Sequence, residues 1–233
     1  VLIDHHLEPE DFAQYALSEI KASSTCELVY VFMDLLGHID LLDKGIGTCL
    51  FTGILTDTGS FKYSTSPRLY RIVAHLKEIG VDDYSLQFEL FNSQNEKQLR
   101  LLSHCLSKNS MEIIHEYNTG IIVLDKYNYE DFNIQRGDTE GIVNFILKIK
   151  NIRFAALITE QPKIVKLSLR SKGNFSVQEI AQKYFKGGGH RNASGGISYQ
   201  SLRGTVEKFK KILPKYKEEL TGDDNGMSIL DDQ

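Results

Sequence analysis

Apolar positions in the first hundred residues recur mostly at helical spacing. Val1-Leu2-Ile3 is the exception: a short unbroken apolar run that reads as the end of a buried strand leading into Asp4-His5-His6. Ser24 and Glu27 form a capping box ahead of Leu28, Val29, Phe32, Leu35 and Leu36, and Gly37 stops that helix. Ser66-Pro67 opens a second helix through Leu69, Ile72, Val73 and Leu76, ended by Gly80. Further helical patterns cover Tyr84–Phe91 and Gln94–Leu106. One short strand cannot satisfy its own backbone groups, so its partner strands are expected upstream of Val1.

Beyond Leu106 the period shortens. Met111–Tyr117, a turn at Asn118-Thr119-Gly120, and Ile121–Asp125 read as a hairpin. Ile152–Thr159 and Ile164–Leu169 read as strands. Thr139–Ile149 reads as an amphipathic helix, and Ser176 and Glu179 cap another that runs to Gly187. The expected architecture is α/β in two domains: a mostly helical first domain over 1–93, a helical linker over 94–110, and a smaller domain with a mixed sheet over 111–220. Residues 221–233 read as a flexible acidic tail.

Charge sharpens this division. Residues 1–110 carry 9 Lys/Arg against 15 Asp/Glu, whereas residues 111–220 carry 18 against 12. An acidic half suits divalent metals and a basic half an anionic substrate, although ordinary solvated surfaces have the same composition. Three scattered cysteines suit neither a disulfide framework nor a zinc cluster, and Cys26 and Cys49 read as inert core thiols. No apolar run reaches the roughly 20 residues of a membrane span. A cytoplasmic setting is expected.

Three segments could carry chemistry. Asp4-His5-His6 follows a strand, the end at which α/β sheets place ligands, and imidazole beside carboxylate suits Mn²⁺, Co²⁺ or Zn²⁺. Alone it suits a solvated strand end equally well. Asp57 closes the apolar run Cys49–Leu55 within Thr56-Asp57-Thr58-Gly59-Ser60-Phe61, where Gly59 allows a tight turn. In Gly187-Gly188-Gly189-His190-Arg191, absent side chains let backbone N–H groups approach an anion, and His190 and Arg191 add charge. Arg170, at the end of a strand, could pair bidentately with a phosphate, although alone it reads as an ordinary surface arginine. His38, His75, His104 and His115 read as structural.

The ordered set resembles the DHH phosphoesterase superfamily: Asp4-His5-His6, the segment Ala22–Glu27, Thr56–Phe61, and Gly187–His190 with Ala193-Ser194-Gly195-Gly196. Within it the likeness is to the bifunctional oligoribonuclease and 3′-phosphoadenosine 5′-phosphate phosphatase family. It implies two Mn²⁺ ions, with His5 and Asp57 as metal ligands and His6 and Asp4 in catalytic roles. It also implies that Gly188, Gly189, His190, Arg191 and Arg170 hold the substrate phosphate. Short oligoribonucleotides and 3′-phosphoadenosine 5′-phosphate are the implied substrates, with cyclic or linear dinucleotides, or nucleotide binding without catalysis, as alternatives. A homodimer is compatible with exposed helices. The family's earlier metal motifs, a His-x-x-x-Asp-x-Asp-like segment and a further Asp, precede the DHH strand and do not occur in this chain, which is therefore expected to be truncated.

Overall fold

The computed structural model describes residues 1–6, 9 and 11–222. The tail expected over 221–233 lies outside them from residue 223 onward. The chain divides into two compact units, Val1–Gln94 and Asn95–Gln233.

The first unit opens with β1 (Leu2–Asp4), paired in parallel with β2 (Ala16–Ser18). The strand after Val1 thus finds a neighbour downstream, a correction to the expected isolation of that strand. Ala16-Leu17-Ser18 is too short to show alternation, so no period marks it. Next comes α1 (Thr25–Leu35), with Ser24 as its N-cap accepting from the Glu27 amide at 3.1 Å. The Glu27 carboxylate reaches back one residue further than a capping box requires. Its Oε2 accepts from the Ser23 amide at 2.7 Å, and its Oε1 accepts from Arg68 Nε at 2.7 Å. Arg68 also donates to Glu19 at 2.9 Å. Glu27 is only 1% exposed, so it is a paired core carboxylate as well as a capping residue.

Helices α2 (Lys44–Thr58), α3 (Pro67–Glu78) and α4 (Asp83–Phe91) complete this unit around Phe51, Ile54, Leu55, Leu69 and Leu76. Burial of each such side chain contributes roughly 1.5–3 kcal/mol. A Cβ on Gly53 would stand 2.2 Å from Cys26 Sγ, so α1 and α2 cross closely there. Of the thiols read as core, Cys26 is partly buried but Cys49 is exposed, because its helix turns that side to solvent. Cys105 is the buried one, its thiol pushed up to about 12 by desolvation. His75 is held structurally, its Nδ1 2.7 Å from the Tyr30 hydroxyl.

The second unit begins with α5 (Glu96–Cys105), the helix expected as the linker; it buries Leu101 and Cys105 in this unit's core. Then follow β3 (Met111–Ile114), β4 (Thr119–Leu124), α6 (Lys126–Asp131), α7 (Ile142–Ile146), β5 (Phe154–Glu160), β6 (Val165–Ser171), α8 (Val177–Phe185), β7 (Gly188–His190), β8 (Ala193–Ser198) and α9 (Leu202–Ile212). A 3₁₀ turn, Leu213–Tyr216, leads into α10 (Lys217–Thr221). The turn between β3 and β4 falls at His115–Asn118, earlier than expected, with Asn118 left-handed at φ 43°. The helix expected over Thr139–Ile149 is confined to α7, since Gly141 enters it at φ +75° and Ile149 is 41% exposed.

The sheet runs β3-β4-β5-β6-β8-β7, antiparallel throughout except for the parallel pair β4–β5. Helices α8 and α9 cover one face, packing Phe185 and Phe209 on Phe154, Ala156, Leu167 and Leu169. On the other face α5 and α7 cover Ile122, Ala155 and Leu157. β5 is accordingly buried on both sides, whereas β6 alternates, with Val165, Leu167 and Leu169 buried and Lys166, Ser168 and Arg170 not. The second helical layer thus covers β4 and β5, and on that side Ser168 and Arg170 of β6, Ala193 and Gly195 of β8 and Gly188 of β7 are partly buried.

Candidate active site

In the first unit, β1 ends at Asp4, and the chain turns immediately. Asp4 Oδ1 accepts from the His6 backbone amide at 3.2 Å and lies 2.6 Å from His6 Nδ1. The hydrogen bond with His6 holds the Asp4 carboxyl below its ordinary range. An ionised Asp4 can only accept, which places a proton on His6 Nδ1 and fixes the ring's tautomer. The His5 ring meets that of His6 edge-on, centroids 4.7 Å apart, and His5 Nε2 lies 3.7 Å from Asp57 Oδ2. Asp57 sits in the last turn of α2, just before Gly59 takes the left-handed φ of 56° that ends the helix. The donor set fits a borderline divalent ion: a neutral imidazole and a carboxylate present N and O atoms close enough for one ion to bridge.

The glycine-rich stretch forms a β-hairpin rather than a loop. A Cβ on Gly187 would stand 1.9 Å from the Gly195 carbonyl oxygen, and one on Gly196 would stand 2.7 Å from Phe185 Cβ. Gly189 has φ +140°. Those three glycines are demanded by backbone crossing and packing. Gly188 is different, because a Cβ there would meet nothing within 4 Å.

Register places the remaining residues. His190 pairs with Ala193, which pairs with Arg170, which pairs with Ala155, so these four lie in one row across the sheet. The adjoining row runs Gly188, Gly195, Ser168 and Leu157. Directly paired residues share a face, so the uncovered end of the sheet has a floor of Gly188, Gly195, Ser168 and Ala193. His190 and Arg170 border it, two strand spacings apart, or about 10 Å at the backbone. Burial holds the Arg170 guanidinium below its ordinary range, offset in part by Glu140. Its Nη1 donates to the Leu169 carbonyl at 2.9 Å, and it makes no ion pair among the described residues. A half-buried cation without a paired carboxylate suits an anionic ligand. Arg191 is exposed at the hairpin tip.

Two further residues hold the hairpin tip, Asn192 and Ser194, the second within the Ala193–Gly196 motif. Asn192 Nδ2 donates to Ser171 Oγ and to the Gly173 carbonyl, both at 2.9 Å, tying the hairpin tip to the turn after β6. Ser194 Oγ donates to the His190 carbonyl at 2.8 Å. Asn192→Ala is expected to keep the fold while weakening phosphate binding about tenfold, the loss of one well-oriented charged contact. Titration with inorganic phosphate checks this; unchanged affinity would mean that the tip needs no tether.

A mixed α/β sheet ending in this glycine hairpin defines the class. Residues 118–222 match the DHHA1 domain. The chain is 29% identical over 222 residues to the bifunctional oligoribonuclease and PAP phosphatase NrnA of Thermus thermophilus, covering 94% of this chain and 64% of that protein. It is 28% identical over 198 residues to the cyclic-di-AMP phosphodiesterase PdeA of Listeria monocytogenes, covering 82% of this chain and 28% of that protein. A crystal structure of an exopolyphosphatase-related protein from Bacteroides fragilis superposes with a TM-score of 0.89 at 39% identity, over 94% of this chain and 64% of that one. The match to the DHHA1 domain covers just under half of the chain, and the chain spans less than two thirds of the length of these relatives. No helix among the described residues is long and apolar enough to cross a membrane.

Proposed function

We propose that the protein is a Mn²⁺-dependent phosphoesterase acting on short oligoribonucleotides and on 3′-phosphoadenosine 5′-phosphate. The observation that carries this reading is Arg170, half-buried without a paired carboxylate, in one row with His190 beside a floor nearly bare of side chains. His5 and Asp57 are the residues that would hold metal. Bound there, the ions would supply a polarised water and neutralise charge on the phosphate.

The chain's own groups do the rest. Arg170 pairs with phosphate oxygens, and its partial burial strengthens that pairing relative to water. The floor lets the anion approach the backbone of Gly188. Asp4, by accepting from His6 Nδ1, leaves His6 Nε2 as the ring atom that can first take a proton, and the imidazolium so formed, stabilised by Asp4, can return it to a leaving oxygen. Relatives named as phosphodiesterases and phosphatases support hydrolysis as the reaction class. The three free thiols support an intracellular setting.

The test is Mn²⁺-dependent release of mononucleotide from a 5′-phosphorylated diribonucleotide. It is run on this chain and on the same chain extended by any residues encoded ahead of Val1. His190→Ala is expected to lower turnover about a hundredfold, the scale of losing one positioned electrostatic group. Full activity in that variant would remove the hairpin from the site. Likeness to a cyclic-di-AMP phosphodiesterase favours cyclic dinucleotides as the second reading. Faster turnover of the cyclic than of the linear form would make it the first.

A further inference from the structure

The face of the second unit opposite Arg170 carries a second concentration of charge. From α8 through α10, residues 177–221 contain 9 Lys/Arg against 4 Asp/Glu, Glu179, Glu207, Glu218 and Glu219. Some of the cations are neutralised: Lys210 pairs with Glu112 at 2.7 Å, Lys217 with Glu116 at 2.9 Å and Arg203 with Glu207 at 2.9 Å. Lys183, Lys186, Lys211 and Lys215 form no ion pair among the described residues.

Three of those four gather around tyrosine rings. Lys183 Nζ and Lys215 Nζ each lie 5.5 Å from the Tyr184 ring centroid, so the two ammonium groups are no more than 11 Å apart. Lys186 Nζ lies 5.0 Å from the Tyr199 ring, and that ring is 67% exposed. Tyr216 stands edge-on to Tyr184 with centroids 6.5 Å apart and donates to its hydroxyl at 3.4 Å. That hydrogen bond, with the charges of Lys183 and Lys215, holds the Tyr184 phenol below its ordinary range. Lys208 is fixed by donation to the Tyr184 carbonyl and lies 5.0 Å from the Phe185 ring.

These residues belong to α8, α9 and the segments that follow β8 and α9. Helices α8 and α9 pack on Leu167 and Leu169, whereas Arg170 and Ser168 point to the other side of the sheet. The two charged surfaces are therefore separated by the sheet itself. Unpaired like charges repel each other in the folded state, a cost that a polyanion would relieve. The aromatic interleaving narrows the class of polyanion. Cations beside one exposed ring, Tyr199, and one partly buried ring, Tyr184, match single-stranded nucleic acid, whose phosphates take the charges and whose unstacked bases stack on the accessible ring surface.

We propose that this outer face of the α8–α9 layer is a single-stranded RNA-binding surface, distinct from the floor beside Arg170. Lys183, Lys186 and Lys215 contact phosphates there, and Tyr184 and Tyr199 offer rings to bases. It binds the body of a strand longer than the hairpin floor can hold, and it does not depend on the metal or phosphate assignments above.

The experiment is fluorescence anisotropy of a labelled 12-nucleotide RNA with this chain in EDTA, so that binding is read without hydrolysis. Lys183→Glu/Lys215→Glu is expected to weaken binding about tenfold or more and to reduce the salt slope by about 2. The milder Lys183→Gln/Lys215→Gln should show a smaller change in the same direction, with both variants melting like the parent. Tyr199→Ala should weaken RNA but not an inorganic polyphosphate chain of equal charge. Unchanged RNA affinity in both lysine variants would overturn the proposal, as would loss of all binding in Arg170→Ala alone. Equal binding of polyphosphate and RNA would reassign the face to polyanions in general and overturn the RNA claim. A sedimentation change from dimer to monomer in the lysine variants, with RNA binding intact, would make it a self-association face instead.

Discussion

Arg68→Ala is expected to lower the stability of the first unit by about 3 kcal/mol, because it strips the cation from a carboxylate that water cannot reach. Glu27 is 1% exposed, and its carboxylate accepts from two donors, the Ser23 amide and Arg68 Nε, while its own backbone amide donates to Ser24 Oγ. Removing Arg68 leaves the charge with one backbone donor. Arg68 is itself 38% exposed, which lets water recover some of the loss and keeps the figure at the low end for a broken buried pair. The melting transition of that unit should fall by roughly 10 °C or more. Adding Glu27→Gln to Arg68→Ala should restore part of the difference, since a neutral amide costs less to bury than a stranded carboxylate. Equal melting of Arg68→Ala and the parent would show that Glu27 is solvated in solution.

Gly187→Ala and Gly188→Ala, neighbours in sequence, are expected to fail in different ways. At Gly187 the new methyl would sit 1.9 Å from a carbonyl oxygen of the partner strand, and no side-chain rotation relieves a clash with backbone. The hairpin must open or shift, at a cost of about 3 kcal/mol, the upper range for overpacking. At Gly188 a methyl meets nothing, so the fold should be unchanged or gain up to about 0.5–1 kcal/mol from reduced chain entropy. The methyl would instead stand on the floor in the row beside His190, over the β7 edge. Binding of a 5′-phosphorylated dinucleotide should weaken about tenfold or more in a variant that melts normally. Urea unfolding and nucleotide titration of both variants separate the two effects. Normal nucleotide affinity in Gly188→Ala would place the phosphate elsewhere.

Helices α1, α3, α4, α5 and α8 were legible in the sequence because each is written in local chemistry, with Ser24, Ser66, Asn95 and Ser176 capping as hydrogen-bonding side chains ahead of apolar periodicity. Strand β5 was legible for the same reason, as an unbroken apolar run. Helices α2, α6, α9 and α10 were not read from the sequence. Strand β2 was not, since three residues cannot display a period. The glycine hairpin was not, because glycines carry no hydropathy signal and their role is set by what crosses them. Gly187 and Gly188 look identical in the sequence and differ in that only a Cβ on Gly187 would run into the Gly195 backbone, whereas one on Gly188 would point away into open space.

By itself, then, the sequence determined the identity of the chemical groups and their order: Asp4, His5, His6, Asp57, Arg170 and His190, with capped helices around them. Those properties reside in single residues and their near neighbours along the chain. Tertiary structure alone decided that His5 and Asp57 come within 3.7 Å, that Glu27 is a buried ion-pair partner, and that Arg170 shares a row with His190 on an uncovered sheet face. Each of these depends on strand register or on where a covering helix stops. Register and coverage come from contacts between residues far apart in the chain, and no local pattern encodes them.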